Sequence, residues 1–134
     1  MNKINKGHEK LKIYQRAHNL AKKVHIMSLK LPKFEMYEEG SQIRKSAKSI
    51  SNNIVEGYAL RKYKREYLRY LYRAYGSCEE TAEHLLFLKE TGSLTDDDTY
   101  KDLEDGYDSL NRMLFNFISS VEVQHEPPNF VKYK

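Results

Sequence analysis

Residues 63–91 read YKREYLRYLYRAYGSCEETAEHLLFLKET, and this stretch decides the fold class. Apolar side chains recur in it at spacings of 3, 4, 3, 4 and 3 residues, at Leu68, Leu71, Tyr75, Cys78, Ala82 and Leu85. This period places the side chains on one face of an α-helix. The stretch therefore predicts a long amphipathic helix that Thr91-Gly92 ends.

Three further segments show the same period. The first, over residues 12–31, has Ile13, Ala17, Leu20, Val24, Met27 and Leu31. The second, over residues 39–57, has Ile43, Ala47, Ile50 and Ile54. The fourth, over residues 95–125, has Leu103, Tyr107, Leu110, Leu114, Phe117 and Val121. Pro32 is expected to end the first helix, Gly57 to break or cap the second, and the Thr95 hydroxyl to cap the fourth.

The connections between these segments are short, and short loops between long helices favour antiparallel neighbours. We therefore predict an all-α protein, an antiparallel up-down-up-down four-helix bundle that forms a single domain over residues 1–134. Pro127-Pro128 is expected to end the fourth helix, and residues 126–134 form a tail. This tail is expected to be disordered or to dock on a neighbouring molecule through Phe130 and Tyr133.

Composition excludes several classes of protein. The single cysteine, Cys78, excludes an internal disulfide and favours a reducing compartment. The first residues lack the apolar core of a secretory signal, and no apolar run is long enough to span a membrane. We therefore expect a cytoplasmic protein that does not enter a membrane.

The residues of enzyme sites are also missing from the sequence. It has no glycine-rich phosphate loop, nucleophile elbow or zinc-ligand spacing. A di-iron bundle needs two Glu-x-x-His motifs, and only Glu122-Val123-Gln124-His125 fits. We therefore expect a protein that is not an enzyme, with no cofactor and no metal site.

Charge is distributed unevenly along the chain. Residues 1–73 hold 18 Lys and Arg against 6 Asp and Glu, whereas residues 74–126 hold 3 against 13. A domain with a basic and an acidic half can bind a polyanion or pack head to tail against its own copies. The sequence alone is compatible with both uses.

The strongest candidate for phosphate contact is the basic stretch before and inside the third segment. It carries Arg61, Lys62, Lys64, Arg65, Arg69 and Arg73, with one acid, Glu66. Positions 62, 65, 69 and 73 share one helix face. The interleaved Tyr63, Tyr67, Tyr70 and Tyr72 are of the residue type that stacks on unpaired bases. The alternative is a solvated face whose tyrosines pack on the core.

A second basic set lies on the first segment. Lys12, Arg16 and Lys23 are candidates for the same nucleic-acid surface if the two segments are exposed side by side, and the alternative is a solvated outer stripe. The acidic residues of the third and fourth segments offer these basic residues another neighbour, a second copy of the chain.

The second and third segments also carry recognisable motifs. These are Gln42-Ile43-Arg44-Lys45, then Ser49-Ile50-Ser51-Asn52-Asn53-Ile54-Val55-Glu56-Gly57, and then Gly76-Ser77. The chain resembles the bacterial 23S rRNA intervening-sequence proteins, a four-helix-bundle family, from about Ile13 to about Phe117. Arg44, Asn53, Glu56, Gly57, Gly76 and Ser77 are the matching positions, and we expect structural roles for them. Tyr63 departs from the Ser or Thr that this family usually has before its third helix.

The resemblance implies a four-helix bundle that assembles into a homopentameric ring. It also implies kinship with the accessory proteins of diversity-generating retroelements, which contact nucleic acid and a reverse transcriptase. The leading hypothesis is a homo-oligomer that binds RNA or a DNA/RNA hybrid by its backbone, or acts as a scaffold. The alternative is a protein-interaction module that binds no nucleic acid and uses its charged faces for subunit assembly.

Overall fold

The computed structural model describes residues 7–124. All the secondary structure elements in this range are helices, and none is a β-strand. A short 3₁₀ turn, His8–Lys10, precedes α1 (Lys12–Ser28). The short helix α2 (Lys33–Tyr37) leads into α3 (Glu39–Ala59), which is followed by α4 (Lys64–Glu90) and α5 (Asp97–Gln124). The predicted all-helical bundle of four long helices is confirmed. The tail 126–134 lies outside the described residues.

The hydrophobic core runs along one face of each long helix. All the apolar positions predicted for the first two segments are buried. In α4 the predicted face was partly wrong, because Ala82 is exposed and Leu68 and Tyr75 are half-buried. The residues one position earlier, Tyr67, Ala74 and Thr81, are buried instead.

A similar one-residue difference occurs in α5. Ile118 is buried and Phe117 is only half-buried, although the sequence pattern predicted Phe117 as the core residue. Phe117 packs edge to face on Tyr67, with 6.2 Å between the ring centroids. It therefore covers the edge of the core beside the start of α4.

The first helix is shorter than predicted, ending at Ser28 rather than Leu31. The Ser28 hydroxyl donates to the carbonyl of His25 at 2.8 Å and accepts a hydrogen bond from Arg44 Nη1 at 2.9 Å. The chain then turns, and the carbonyl of Pro32 accepts hydrogen bonds from the amides of Glu35 and Met36. Residues 33–37, predicted as a loop, therefore form α2.

Gly57 does not end the second predicted helix, because α3 continues to Ala59. The residue is buried where α3 crosses α4. A Cβ at this position would lie 3.1 Å from Tyr70 Cβ and 3.4 Å from the carbonyl oxygen of Tyr67. The glycine therefore lets the two helices approach closely, and this packing role replaces the predicted break.

Asp96, and not Thr95, caps α5. Its Oδ1 accepts hydrogen bonds from the amides of Asp98 at 3.1 Å and Thr99 at 3.2 Å. The hydrogen bonds from Thr99 lower the pKa of the Asp96 carboxyl. A carboxylate at this place also suits the positive end of the helix dipole.

Hydroxyl groups join α3 to α4 inside the bundle. Thr81 Oγ1 lies 2.8 Å from Ser46 Oγ, and both residues are buried. Ser77 Oγ lies 2.8 Å from Ser49 Oγ, and Asn53 Nδ2 donates to the Ser49 carbonyl at 2.8 Å. Because buried polar groups are costly without partners, these pairs fix how the two helices face each other.

The helices pack in a cycle. α1 contacts α3 and α5, and α4 contacts the same two helices, so α1 and α4 are diagonally opposite. Across α1 and α5, Arg16 is bonded to Ser109 and Lys23 to Asp102. No helix within residues 7–124 combines the length and the apolar character needed to cross a membrane.

We expect Gly57→Leu to lower the free energy of unfolding by about 1–3 kcal/mol, because the added side chain must push Tyr70 and Tyr67 away from α3. The measurement is urea denaturation followed by circular dichroism. Glu56→Leu is the matched control, since Glu56 is exposed on the same helix turn. Equal stability of the two variants would contradict close packing at Gly57.

Candidate nucleic-acid interface

The predicted basic residues 61–73 lie on the connection from α3 to α4 and on the first turns of α4; we call them the basic segment. Arg61, Lys62, Arg65, Arg69 and Arg73 are exposed, and Lys64 is half-buried. Lys64 Nζ donates to the carbonyl of Glu122 at 2.8 Å. The basic segment therefore occupies the end of the bundle where α4 begins and α5 finishes.

Aromatic rings position several of these cations. The Arg61 guanidinium lies 4.0 Å from the ring centroid of Tyr58, and its Nη1 donates to the Tyr58 carbonyl at 2.9 Å. Arg69 and Arg73 lie on Tyr70, with 5.7 Å and 5.3 Å to its centroid. Such contacts are attractive and leave the long side chains with less freedom, so ordering them against a ligand costs less.

Acidic side chains are few in the sequence of the basic segment, where Glu66 is the one acid among residues 61–73. Among its ion pairs, Arg69 Nη1 lies 3.1 Å from Glu66 Oε1, with the arginine side chain 54% exposed. An exposed pair of this kind contributes only about 0.2–1 kcal/mol, so a phosphate can compete for the arginine. Residues 61–73 hold six Lys and Arg against one Glu, so the segment itself has a net positive charge.

The structure separates the four interleaved tyrosines. Tyr67 is in the core, and burial raises the pKa of its hydroxyl to about 12. Tyr70 is half-buried beneath its two arginines. Tyr63 and Tyr72 have 42% and 50% of their surface exposed. The Tyr72 hydroxyl donates to the Glu122 carboxylate, which raises the pKa of Tyr72. Base stacking is therefore open to Tyr63 and Tyr72 rather than to all four.

The basic residues of α1 do not extend the basic segment, because α1 is diagonally opposite α4. Arg16 Nη1 donates to Ser109 Oγ at 3.1 Å, and Lys23 Nζ pairs with Asp102 Oδ2 at 2.9 Å. Lys12 is exposed on the first turn of α1. Arg16 and Lys23 therefore lie beside α5 and not beside the basic segment of α4.

The motif residues divide into packed and exposed positions. Arg44 joins α3 to Ser28 of α1, and Ser77 joins α4 to Ser49 of α3. Asn53 bonds Ser49 within α3, and Gly57 lies at the crossing of α3 and α4. Glu56 is exposed. Gly76 is also exposed, and a Cβ built on it would meet no atom within 4 Å.

Acidic side chains line a groove between α4 and α5 that sequence reasoning did not identify. We call this the acidic groove, and its carboxylates are Glu79, Glu83, Glu104, Asp105 and Asp108. Two bases offset part of this charge: Lys101 lies 3.4 Å from Asp105, and Arg112 lies 2.6 Å from Asp108. Carboxylates spaced 4 apart at positions 79 and 83, and again at 104 and 108, were the available signal.

Metal ligands do not converge anywhere in residues 7–124: no group of three His, Cys, Asp or Glu side chains could hold an ion. His125, which would complete the Glu122 motif, lies outside the described residues. His84 joins two helices, with its Nδ1 2.7 Å from Glu39 and its Nε2 3.2 Å from Glu80.

Comparison with known proteins gave one family. The family model described as 23S rRNA-intervening sequence protein matches residues 9–116. The match spans α1 to most of α5, and so includes both the basic segment and the acidic groove. No curated protein matches the chain.

We expect the Cys78 thiol to be unreactive in the folded protein. It is 1% exposed, and burial raises its pKa to about 12, so almost none of the nucleophilic thiolate is present at neutral pH. The measurement is labelling with a chromogenic disulfide reagent at about pH 8, with and without denaturant. Rapid labelling without denaturant would contradict the burial of Cys78.

Proposed function

The chain belongs to the 23S rRNA-intervening sequence protein family, and on this premise we propose that it is a non-enzymatic homo-oligomer that binds nucleic acid through the basic segment. The observation that carries the proposal is a run of six basic residues on one end of the bundle, with two arginines on Tyr70 and one on Tyr58. We propose single-stranded RNA or a DNA/RNA hybrid as the ligand, and the polyanionic backbone as what is recognised.

Two features support recognition of the backbone rather than the base sequence. Arg69 and Arg73 are four residues apart on one helix face, so they can follow successive phosphates. Side chains that neutralise phosphates position the ligand but do not read bases. Tyr63 and Tyr72, which are exposed at two places along the basic segment, can add stacking on unpaired bases, a contact that tolerates any sequence.

The architecture that we propose is an antiparallel up-down-up-down bundle. Pairs of contacts between helices support it: Arg16 bonds Ser109 while Lys23 bonds Asp102, so positions that rise along α1 meet positions that fall along α5. The contacts of Tyr72 with Glu122 and of Lys89 with Asp97 follow the same rule between α4 and α5.

Self-assembly is the second part of the proposal. Its support is the acidic groove, a negative surface on a chain of net positive charge, because a second copy can place basic residues there. Complementary surfaces at different places on one chain make head-to-tail contacts, which close into a ring when the rotation permits. The family resemblance implies five copies, and we propose this number for the ring.

We expect Arg69→Gln/Arg73→Gln to weaken binding of single-stranded RNA roughly thirtyfold at about 0.1 M salt, since two lost phosphate contacts reduce the slope of log K against log salt by about 1.5. Fluorescence anisotropy of labelled RNA, titrated at two salt concentrations, measures both quantities. The same titrations with duplex RNA, duplex DNA and a DNA/RNA hybrid rank the ligands.

The matched control is Lys45→Gln/Lys48→Gln, which removes the same charge from exposed positions of α3. The control should bind RNA like the unchanged protein. Equal weakening by both pairs would mean that net charge, and not the basic segment, determines binding. Absence of binding by the unchanged protein at low salt would favour the alternative, a protein-interaction module whose charged faces serve assembly alone.

A further inference from the structure

Gly76 is unusual because nothing within residues 7–124 requires a glycine there. It lies in the interior of α4, where glycine is less favourable than alanine. Its φ is not positive, and a Cβ would meet no atom within 4 Å. By contrast, a Cβ at Gly57 or Gly106 would press on Tyr70 or Leu20. A missing side chain on an open helix surface leaves room for a group from outside the chain.

We call the surface at Gly76, with the exposed rings of Tyr72 and Phe115, the Gly76 notch. Tyr72 and Glu122 are bonded on one side of it, and Glu79 and Asn111 on the other, so Gly76 and Phe115 face the same stretch between α4 and α5. Tyr72 is 50% and Phe115 59% exposed. Large exposed aromatic rings beside an open backbone are typical of the centre of an interface.

Charge extends this surface in one direction. Positions 72, 76, 79, 83 and 86 follow one another at spacings of 4 and 3 and so form a single stripe of α4. Beyond the notch, Glu79 and Glu83 of this stripe line the acidic groove. Asp108 of α5 lines the same groove. An occupant of the whole surface must therefore be apolar at one part and basic at another.

The outer face of α1 has this chemistry. It consists of the exposed residues Gln15, His18, Lys22, His25, Ile26 and Leu29. Ile26 is 58% and Leu29 52% exposed, and no Asp or Glu occurs anywhere between Lys12 and Ser28. This helix face is therefore apolar and positive, the complement of the notch and the acidic groove.

We propose that the outer face of α1 from a second copy of the chain docks on the Gly76 notch and the acidic groove. This inference rests on the assembly proposed above and names the two surfaces that meet. Because α1 and α4 are diagonally opposite, one copy can use both surfaces at once, and the contact repeats from copy to copy. Tyr72 borders the notch, but Tyr63 and the Lys and Arg side chains of the basic segment take no part in the contact and stay available for nucleic acid.

Two variants each disable one surface. Gly76→Leu fills the notch. We expect this variant to fold, because the new side chain enters open space and leucine favours a helix. Lys22→Glu/Ile26→Glu reverses the charge and polarity of the outer face of α1 at exposed positions. The controls are Glu56→Leu and Lys48→Glu/Phe34→Glu, which make the same kinds of change at exposed positions elsewhere.

The measurement is size-exclusion chromatography with light scattering on the full chain, with circular dichroism to verify that each variant is folded. We expect the unchanged protein and both controls to form the same assembly, and each of the two variants alone to have the mass of one chain. An equimolar mixture of the two variants should form a two-chain species and nothing larger, since it retains one intact pair of surfaces.

Two results would overturn the inference in distinguishable ways. If either variant keeps the full assembly mass, or if the mixture forms no two-chain species, copies meet through other surfaces and the proposed assembly stands without this contact. If the unchanged protein has the mass of one chain over the whole accessible concentration range, the assembly itself fails. The RNA titrations of the basic segment are independent of both results.

Discussion

The contact between α3 and α4 determines which side chains of α4 are buried and which are exposed. Gly57 lets the helices approach, and the buried pair of Ser46 and Thr81 fixes which side of α4 faces α3. With that rotation set, Tyr67 and Ala74 enter the core, and Arg69 and Arg73 must point outward. The hydroxyl contact is directional, so turning α4 would break it and leave each hydroxyl with its bond to a carbonyl of its own helix.

The same rotation separates two kinds of electrostatic surface along one helix. The first turns of α4 carry most of the basic segment, in which Arg61 lies on the ring of Tyr58 and Arg73 on that of Tyr70. Further along, Glu79 and Glu83 face the acidic residues of α5. A polyanion and a basic protein surface can therefore bind at different places on the same bundle. This separation is the physical basis for treating nucleic-acid binding and assembly as compatible functions.

The sequence predicted the helices well where only one apolar face is possible. In the first two segments most core positions have polar neighbours on both sides, so the period favours one face. In α4, by contrast, Tyr67-Leu68, Ala74-Tyr75 and Thr81-Ala82 each offer two candidates. Hydrophobicity favoured the second of each pair, but close packing against small residues of α3 selects the first. Such a choice depends on the facing helix, which the pattern of a single segment does not contain.

The candidate site was predictable in part for the same reason. The positions of the basic residues along the chain located the basic segment correctly at the start of α4. Which tyrosines are exposed, and the diagonal placement of α1 and α4, depend on tertiary packing, so the sequence could not remove Tyr67 or separate Arg16 and Lys23 from the basic segment. The acidic groove forms only where two helices lie side by side, and the open space at Gly76 depends on where the surrounding residues lie. Neither follows from the pattern of one segment.

The central claim is that nucleic acid lies on the basic segment. The most direct measurement is ultraviolet cross-linking of the protein to single-stranded RNA, with mass spectrometry to locate the linked residues. The account predicts cross-links within residues 61–73, at the exposed Tyr63 and Tyr72 in particular. Cross-links confined to α1 or to the acidic groove, with none in residues 61–73, would contradict it.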